Sequence, residues 1–181
     1  WAELLALLRQ LLSALGHAHA RDIVHRDLKP QNVLVFETDG QREYRVADFG
    51  LAYSRVPSDE TKTMGGSAGT PAYMAPEQIS HPADVDHRAD IYALGVVFYQ
   101  MLTGELPLGR FPTPSQRVKV DVSLDEVVLK TLEHDPNQRY QRASEIKQSL
   151  TSPPAAAPAA VPATPAPDAN RPRITGFAWW S

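Results

Sequence analysis

The sequence has no cysteine among its 181 residues, which excludes a disulfide framework and any thiolate metal site and fits a reducing compartment. It also lacks an excess of positive charge. Eighteen Lys and Arg against 21 Asp and Glu give a formal charge of -3, so a strongly basic nucleic-acid-binding surface is not expected. There is no secretory signal and no uninterrupted apolar run long enough to cross a bilayer. No internal repeat is present. The chain does not open with Met: it begins at Trp1 inside a helical pattern and stops at the aromatic cluster ITGFAWWS, so it is expected to be a piece of a longer protein. What remains, 43% apolar residues, is ordinary for a globular domain.

Leu4, Leu5, Leu8, Leu11, Leu12 and Leu15 recur at helical spacing, predicting an amphipathic helix from Glu3 to about Ala20. A short strand and loop follow in IVHRDLKPQN, because Pro30 cannot continue a helix and biases Lys29 towards extended backbone. VLVF and YRVADF read as strands joined by ETDGQRE, whose Asp39-Gly40 pair is a hairpin-turn signal. The stretch from Gly50 to Gly69 is a long loop rich in Ser, Thr, Asp and Gly. DIYALGVVFYQML, from Asp90 to Leu102, is apolar nearly all round and predicts a central buried helix. Tyr92, Phe98 and Tyr99 are expected in the core. SLDEVVLKTLEH predicts another helix opened by a Ser123–Glu126 capping box, and Ser144 to Leu150 a short last one. His17 and His19 read as helix C-terminal cations or surface residues, while His81, His87 and His134 lack metal-ligand spacing.

The chemistry-bearing residues fall in blocks. IVHRDLKPQNVLV, from Ile23 to Val35, sets Asp27, Lys29 and Asn32 between two apolar runs. DFG follows at Asp48, Phe49 and Gly50, GTPAYMAPE runs from Gly69 to Glu77, DIYALG begins at Asp90, and DPNQRY holds Arg139. Taken singly, Asp27 reads as a turn or cap residue and Asp-Phe-Gly as a strand ending in a turn. Five blocks in this order and spacing are far more specific. Together they resemble the protein kinases, specifically the eukaryotic-like serine/threonine kinases of bacterial type. The resemblance covers residues 3 to 150, the C-terminal lobe of the kinase domain. The expected fold is therefore mainly α with a small β-hairpin: a kinase-like C-lobe, with the N-lobe absent from this chain. Residues 1–150 would be that partial domain, 151–173 a Pro/Ala-rich disordered linker, and 174–181 the apolar aromatic start of a further segment.

The resemblance implies roles for individual residues. Asp27 matches the catalytic aspartate that accepts the substrate hydroxyl's hydrogen. Lys29 matches the residue that meets the γ-phosphate, Asn32 a Mg²⁺ ligand, and Asp48 the Mg²⁺ ligand that bridges the phosphates. Leu34 matches an apolar residue beneath the adenine, and Thr70 one that shapes the acceptor pocket. His25 and Phe49 match a hydrophobic spine, and Gly50, the last residue of DFG, matches a structural position. Asp90 matches the carboxylate that holds the catalytic-loop backbone. Glu77 and Arg139 match a buried ion pair. Arg26 matches an arginine that receives a phosphate from the activation loop, which offers Ser54, Ser58, Thr61, Thr63 and Ser67. Autophosphorylation is expected at Thr61 or Thr63. The implied cofactors are ATP and Mg²⁺. The implied partners are proteins phosphorylated on Ser or Thr and a second copy for trans-autophosphorylation, with no nucleic acid.

The sequence also departs from a whole kinase. It carries no glycine-rich phosphate loop, no strand lysine for the α- and β-phosphates, no helix glutamate to pair with it, and no hinge. The fragment alone is thus expected to bind MgATP weakly and to transfer phosphate negligibly. Pro107, Pro112 and Pro114 make a full helix unexpected after the central one. RPRITGFAWW reads as a candidate start of a membrane helix beyond Ser181, which would leave the kinase domain cytoplasmic. Two rival readings stay open: a catalytically inactive kinase-fold binding module, and a small-molecule phosphotransferase. The intact catalytic residues count against the first, and GTPAYMAPE counts against the second.

Overall fold

The computed structural model describes residues 2–49 and 71–150. Helix α1 spans Ala2–His19, and a hairpin follows with strands β1, Val33–Thr38, and β2, Gln41–Val46. The rest is helical: α2 is Pro76–Ser80, α3 Arg88–Thr103, α4 Pro114–Arg117, α5 Ser123–Thr131 and α6 Ala143–Ser149. Among the described residues the class is mainly α with one small antiparallel hairpin. Among the described residues no helix is long and apolar enough to cross a membrane. The predicted linker, 151–173, and the segment 174–181 lie outside the described residues, as does the loop between Gly50 and Gly69.

One apolar core joins α1, α3, α5 and α6. Leu8, Leu11 and Leu15 of α1 meet Ile91, Leu94 and Tyr99 of α3, Val128 of α5 and Ile146 of α6. The leucine stripe of α1 is buried from Leu7 to Leu15, while Leu4 and Leu5, at the open end, are half-buried. The helix ends in a Schellman arrangement: Ile23 N–H bonds to Ala18 C=O at 3.1 Å and Asp22 N–H to His19 C=O at 3.1 Å. Asp22 holds the left-handed position, with φ +57°, where glycine is usual.

Helix α3 is buried on nearly all sides, from Ala89 to Tyr99. Phe98 and Tyr99 lie in the core, while Tyr92 is half-buried, its ring 4.9 Å from the Arg139 guanidinium carbon. Gly95 sets how closely α5 approaches: a Cβ there would stand 2.8 Å from Thr131 Cβ, with Thr131 Oγ1 closer still.

Four local expectations need correction. Ile23 to Lys29 contains no strand, because the His25 and Arg26 N–H groups donate to the Asp90 carboxylate instead of to a neighbouring strand. The hairpin loop is two residues long, not seven. Asp39 and Gly40 both have positive φ, +52° and +74°, and a turn of that kind matches the strand twist, so the ladder runs unbroken to Thr38↔Gln41. Strand β2 stops at Val46 and not at Phe49, since Asp48 turns the chain with φ +61°. Finally, Ser123 and Glu126 form no capping box. Val122 is already helical, and the Asp121 carboxylate two residues back takes the Ser123 N–H at 2.8 Å. Hydrogen bonds from Ser123 hold the Asp121 carboxyl below its ordinary value. After α3 the proline-rich stretch forms only the single turn α4, where Asp125 accepts from the Ser115 N–H at 2.9 Å and from its hydroxyl.

Candidate active site

The site is built outward from Asp90, in the first turn of α3. Its carboxylate is fully buried. Oδ2 accepts the His25 N–H at 2.9 Å and Oδ1 the Arg26 N–H at 2.8 Å. A buried carboxylate without donors would be costly, and here two backbone amides of one loop supply them. His19 supplies a third, its Nε2 lying 2.8 Å from Asp90 Oδ2. Of the two readings of His19, the structure keeps the helix-end position, in the last turn of α1, and corrects the surface one: the side chain is 9% exposed, with its ring 5.2 Å from that of His87. The sequence held a signal for this, since His19 lies four residues after the buried Leu15 on the same helical face.

His25, fully buried, ties two segments of the site together. Its Nε2–H donates to Ala47 C=O at 2.8 Å and its Nδ1 accepts the Asp27 N–H at 3.2 Å, a pairing that fixes the tautomer. The Phe49 ring meets it edge-on at 4.8 Å. Ala47 N–H also bonds to Asn32 C=O at 2.8 Å. The residue before Asp48 is thereby clamped to Asn32 and His25, and the residue after it to His25. This puts the Asp48 backbone beside the loop although 15 residues separate it from Asn32. The Asp48 side chain is exposed.

Asp27, Lys29 and Asn32 converge directly. Lys29 Nζ lies 2.8 Å from Asp27 Oδ2. Asn32 Nδ2 donates to Asp27 C=O at 2.7 Å and to its Oδ2 at 3.3 Å. Asn32 is held in turn by the one-turn helix Pro30–Asn32. The Asp27 side chain keeps 32% of its surface open, at a shallow cleft walled by Arg26, Leu28, Tyr73 and Met74. A larger groove, about 460 Å³, lies away from these groups between α1 and the hairpin. Its charged walls already satisfy each other: Arg42 pairs with Glu3, and the Tyr44 hydroxyl donates to Glu3 at 3.1 Å.

The outer residues fall as follows. Arg26 Nη2 donates to Val85 C=O at 3.1 Å. Arg139 is buried, and its guanidinium meets Glu77 through two bonds of 2.6 and 2.7 Å, with further donations to the carbonyls of Glu133, Arg88 and His134. Nearby, burial raises the Asp86 carboxyl, but hydrogen bonds and charge from Arg88 outweigh it and hold Asp86 below its ordinary value. Leu34 stands on β1 two residues after Asn32 and is 45% exposed. Thr70, Gly50, Thr61 and Thr63 lie outside the described residues. Sequence reasoning missed Gln78, whose Nε2 donates to Arg26 C=O at 2.7 Å. No pattern along the chain signals that contact, which exists only because α2 folds against the loop.

The Asp27 carboxylate and the Asn32 side-chain amide lie together, with the Asp48 backbone beside them; carboxylate and amide oxygens are hard ligands of the kind Mg²⁺ takes.

Comparison with known proteins bears on the family and the fold. The protein kinase domain pattern matches residues 2–153. The chain is 40% identical over 161 residues to the serine/threonine-protein kinase Pkn1 of Myxococcus xanthus, covering 80% of this chain and 23% of that protein. It is 38% identical over 152 residues to the serine/threonine-protein kinase PknB of Mycobacterium leprae, covering 76% and 24%. The crystal structure of the Mycobacterium tuberculosis PknI kinase domain superposes with a TM-score of 0.62 at 32% identity, over 82% of this chain and 54% of that one. The chain spans about a quarter of the length of these curated relatives. On its sequence, its fold and its relatives, the chain belongs to the protein kinase family, in the bacterial-type serine/threonine class, with the architecture of the kinase C-terminal lobe.

Proposed function

We propose that this chain supplies the catalytic loop and metal-binding segment of a serine/threonine protein kinase that moves the γ-phosphoryl group of MgATP to protein hydroxyls. One observation carries the reading. The Asp27 carboxylate is gripped by Lys29 Nζ at 2.8 Å and Asn32 Nδ2 at 3.3 Å, on a loop whose backbone is pinned to a buried carboxylate.

In this reading the substrate Ser or Thr hydroxyl enters the cleft beside Asp27, whose free oxygen surface orients it and takes its proton as the oxygen attacks phosphorus. The bond from phosphorus to the β–γ bridging oxygen breaks, and ADP leaves. Lys29 places positive charge where the γ-phosphoryl oxygens would lie. Asn32 and Asp48 would hold the Mg²⁺, which when bound neutralises charge on the phosphates. Leu34, on the open face of β1, offers an apolar surface for the base. Thr70 would shape the acceptor side, and Arg26 would receive a phosphate carried by Thr61 or Thr63. Family membership supports ATP, divalent metal and protein substrates in general terms.

The test is γ-phosphate-labelled ATP given to the full gene product that carries this sequence. Asp27→Asn is expected to lower kcat by about a hundredfold or more, with a small change in KM for ATP, because proton acceptance and orientation act in the transition state. Undiminished transfer by Asp27→Asn contradicts the assignment.

A further inference from the structure

Gln78 follows Glu77 on α2, and both ends of its amide are engaged. Its Oε1 accepts the Ala75 N–H at 3.0 Å, and its Nε2 donates to the Arg26 carbonyl at 2.7 Å. That carbonyl belongs to the peptide unit that enters Asp27. The same unit's N–H, on Asp27, donates to His25 Nδ1 at 3.2 Å. The Arg26–Asp27 peptide is therefore held from both sides by side chains. Arg26 itself has φ +65°, a conformation that few residues other than glycine adopt and that persists only where the surroundings over-determine it. Asp90 grips Arg26 by its N–H at 2.8 Å, and Gln78 grips it by its C=O.

We infer that Gln78 is a positioning residue for Asp27. The plane of the Arg26–Asp27 peptide fixes the direction of the Asp27 Cα–Cβ bond, and so the place of its carboxylate in the cleft. Without the Gln78 donor, the carbonyl is free to rotate towards a commoner backbone conformation, and the carboxylate leaves the line of attack. Because Glu77 fastens the same short helix to Arg139 through paired bonds, α2 is a rigid mount from which Gln78 reaches the loop. The kinetic consequence rests on the proposed kinase reading; the structural consequence rests on the geometry alone.

Two variants of the full gene product separate the contacts. Gln78→Glu retains an acceptor for the Ala75 N–H but cannot donate to the Arg26 carbonyl. Gln78→Leu removes both bonds. In labelled-ATP transfer to casein, both are expected to lose about ten- to a hundredfold in kcat, with KM for MgATP changed by less than about threefold. In backbone hydrogen exchange on the same samples, the His25–Leu28 amides are expected to exchange about tenfold faster while the α3 amides stay unchanged. A Gln78→Glu protein with wild-type kcat overturns the inference. So does an exchange pattern in which His25–Leu28 is unaltered, or in which it rises only in step with α3. If the unsubstituted protein transfers no phosphate, the proposed function fails by itself, and the exchange measurement then decides for or against Gln78.

Discussion

Arg139 carries its charge into the protein with its side chain at 0% exposure. It is tolerable there because the guanidinium's donors reach the Glu77 carboxylate and three backbone carbonyls. The carbonyls satisfy hydrogen bonds but do not neutralise the charge, so Glu77 matters most. Glu77→Gln is expected to destabilise the protein by about 3–5 kcal/mol, since it leaves a buried cation without its counter-charge. Urea denaturation checks this, and a loss below about 1 kcal/mol would mean that the carbonyls alone suffice. At this scale, legibility in the sequence depended on whether a residue sits in a dense motif. Asp27, Lys29 and Asn32 lie within six positions, and chain connectivity alone keeps them close. Asp90 and Glu77 were named because their blocks are specific. Gln78 and the burial of His19 were not named, because each acquires its partner only when distant segments meet.

Among the elements, helices with a one-sided leucine stripe or an all-round apolar surface were plain from the sequence, because burial in the core imposes those periods. Ends were less plain. A capping pattern such as Ser123–Glu126 competes with other local acceptors, and Asp121 wins because it reaches the Ser123 N–H while Val122 is already helical. The apolar residues ahead of Asp27 suggest a short strand before the loop, yet the backbone donors there are claimed by Asp90. The contact between α3 and α5 shows a tolerance no pattern reveals. Gly95→Ala would force Thr131 away from α3. The expected cost is about 1–3 kcal/mol from overpacking, measured as a lower denaturation midpoint with the slope unchanged. A midpoint equal to that of the unsubstituted chain would show that α5 shifts freely.

Over the whole molecule, the core of α1, α3, α5 and α6 acts as a platform. It delivers Asp90 to the loop that carries Asp27, while the hairpin, leaving β2 at Val46, returns the backbone before Asp48 to Asn32. The helical content was legible because helical periods dominate the sequence, whereas the arrangement as a kinase C-lobe was legible only through the family resemblance. The convergence of Asp48 on the loop was legible only through the family resemblance, since no spacing rule links residues on opposite sides of a hairpin. In the proposed mechanism, Asn32 and Asp48 would share one divalent ion with a nucleotide beside Asp27 and Lys29. The most direct test replaces Mg²⁺ by Mn²⁺ in the full gene product, with a non-hydrolysable ATP analogue bound and its Asn and Asp amides isotope-labelled. The Asn32 and Asp48 amide signals are expected to broaden first, at the lowest Mn²⁺ concentration. Sharp signals at both positions while other labelled sites broaden would contradict it.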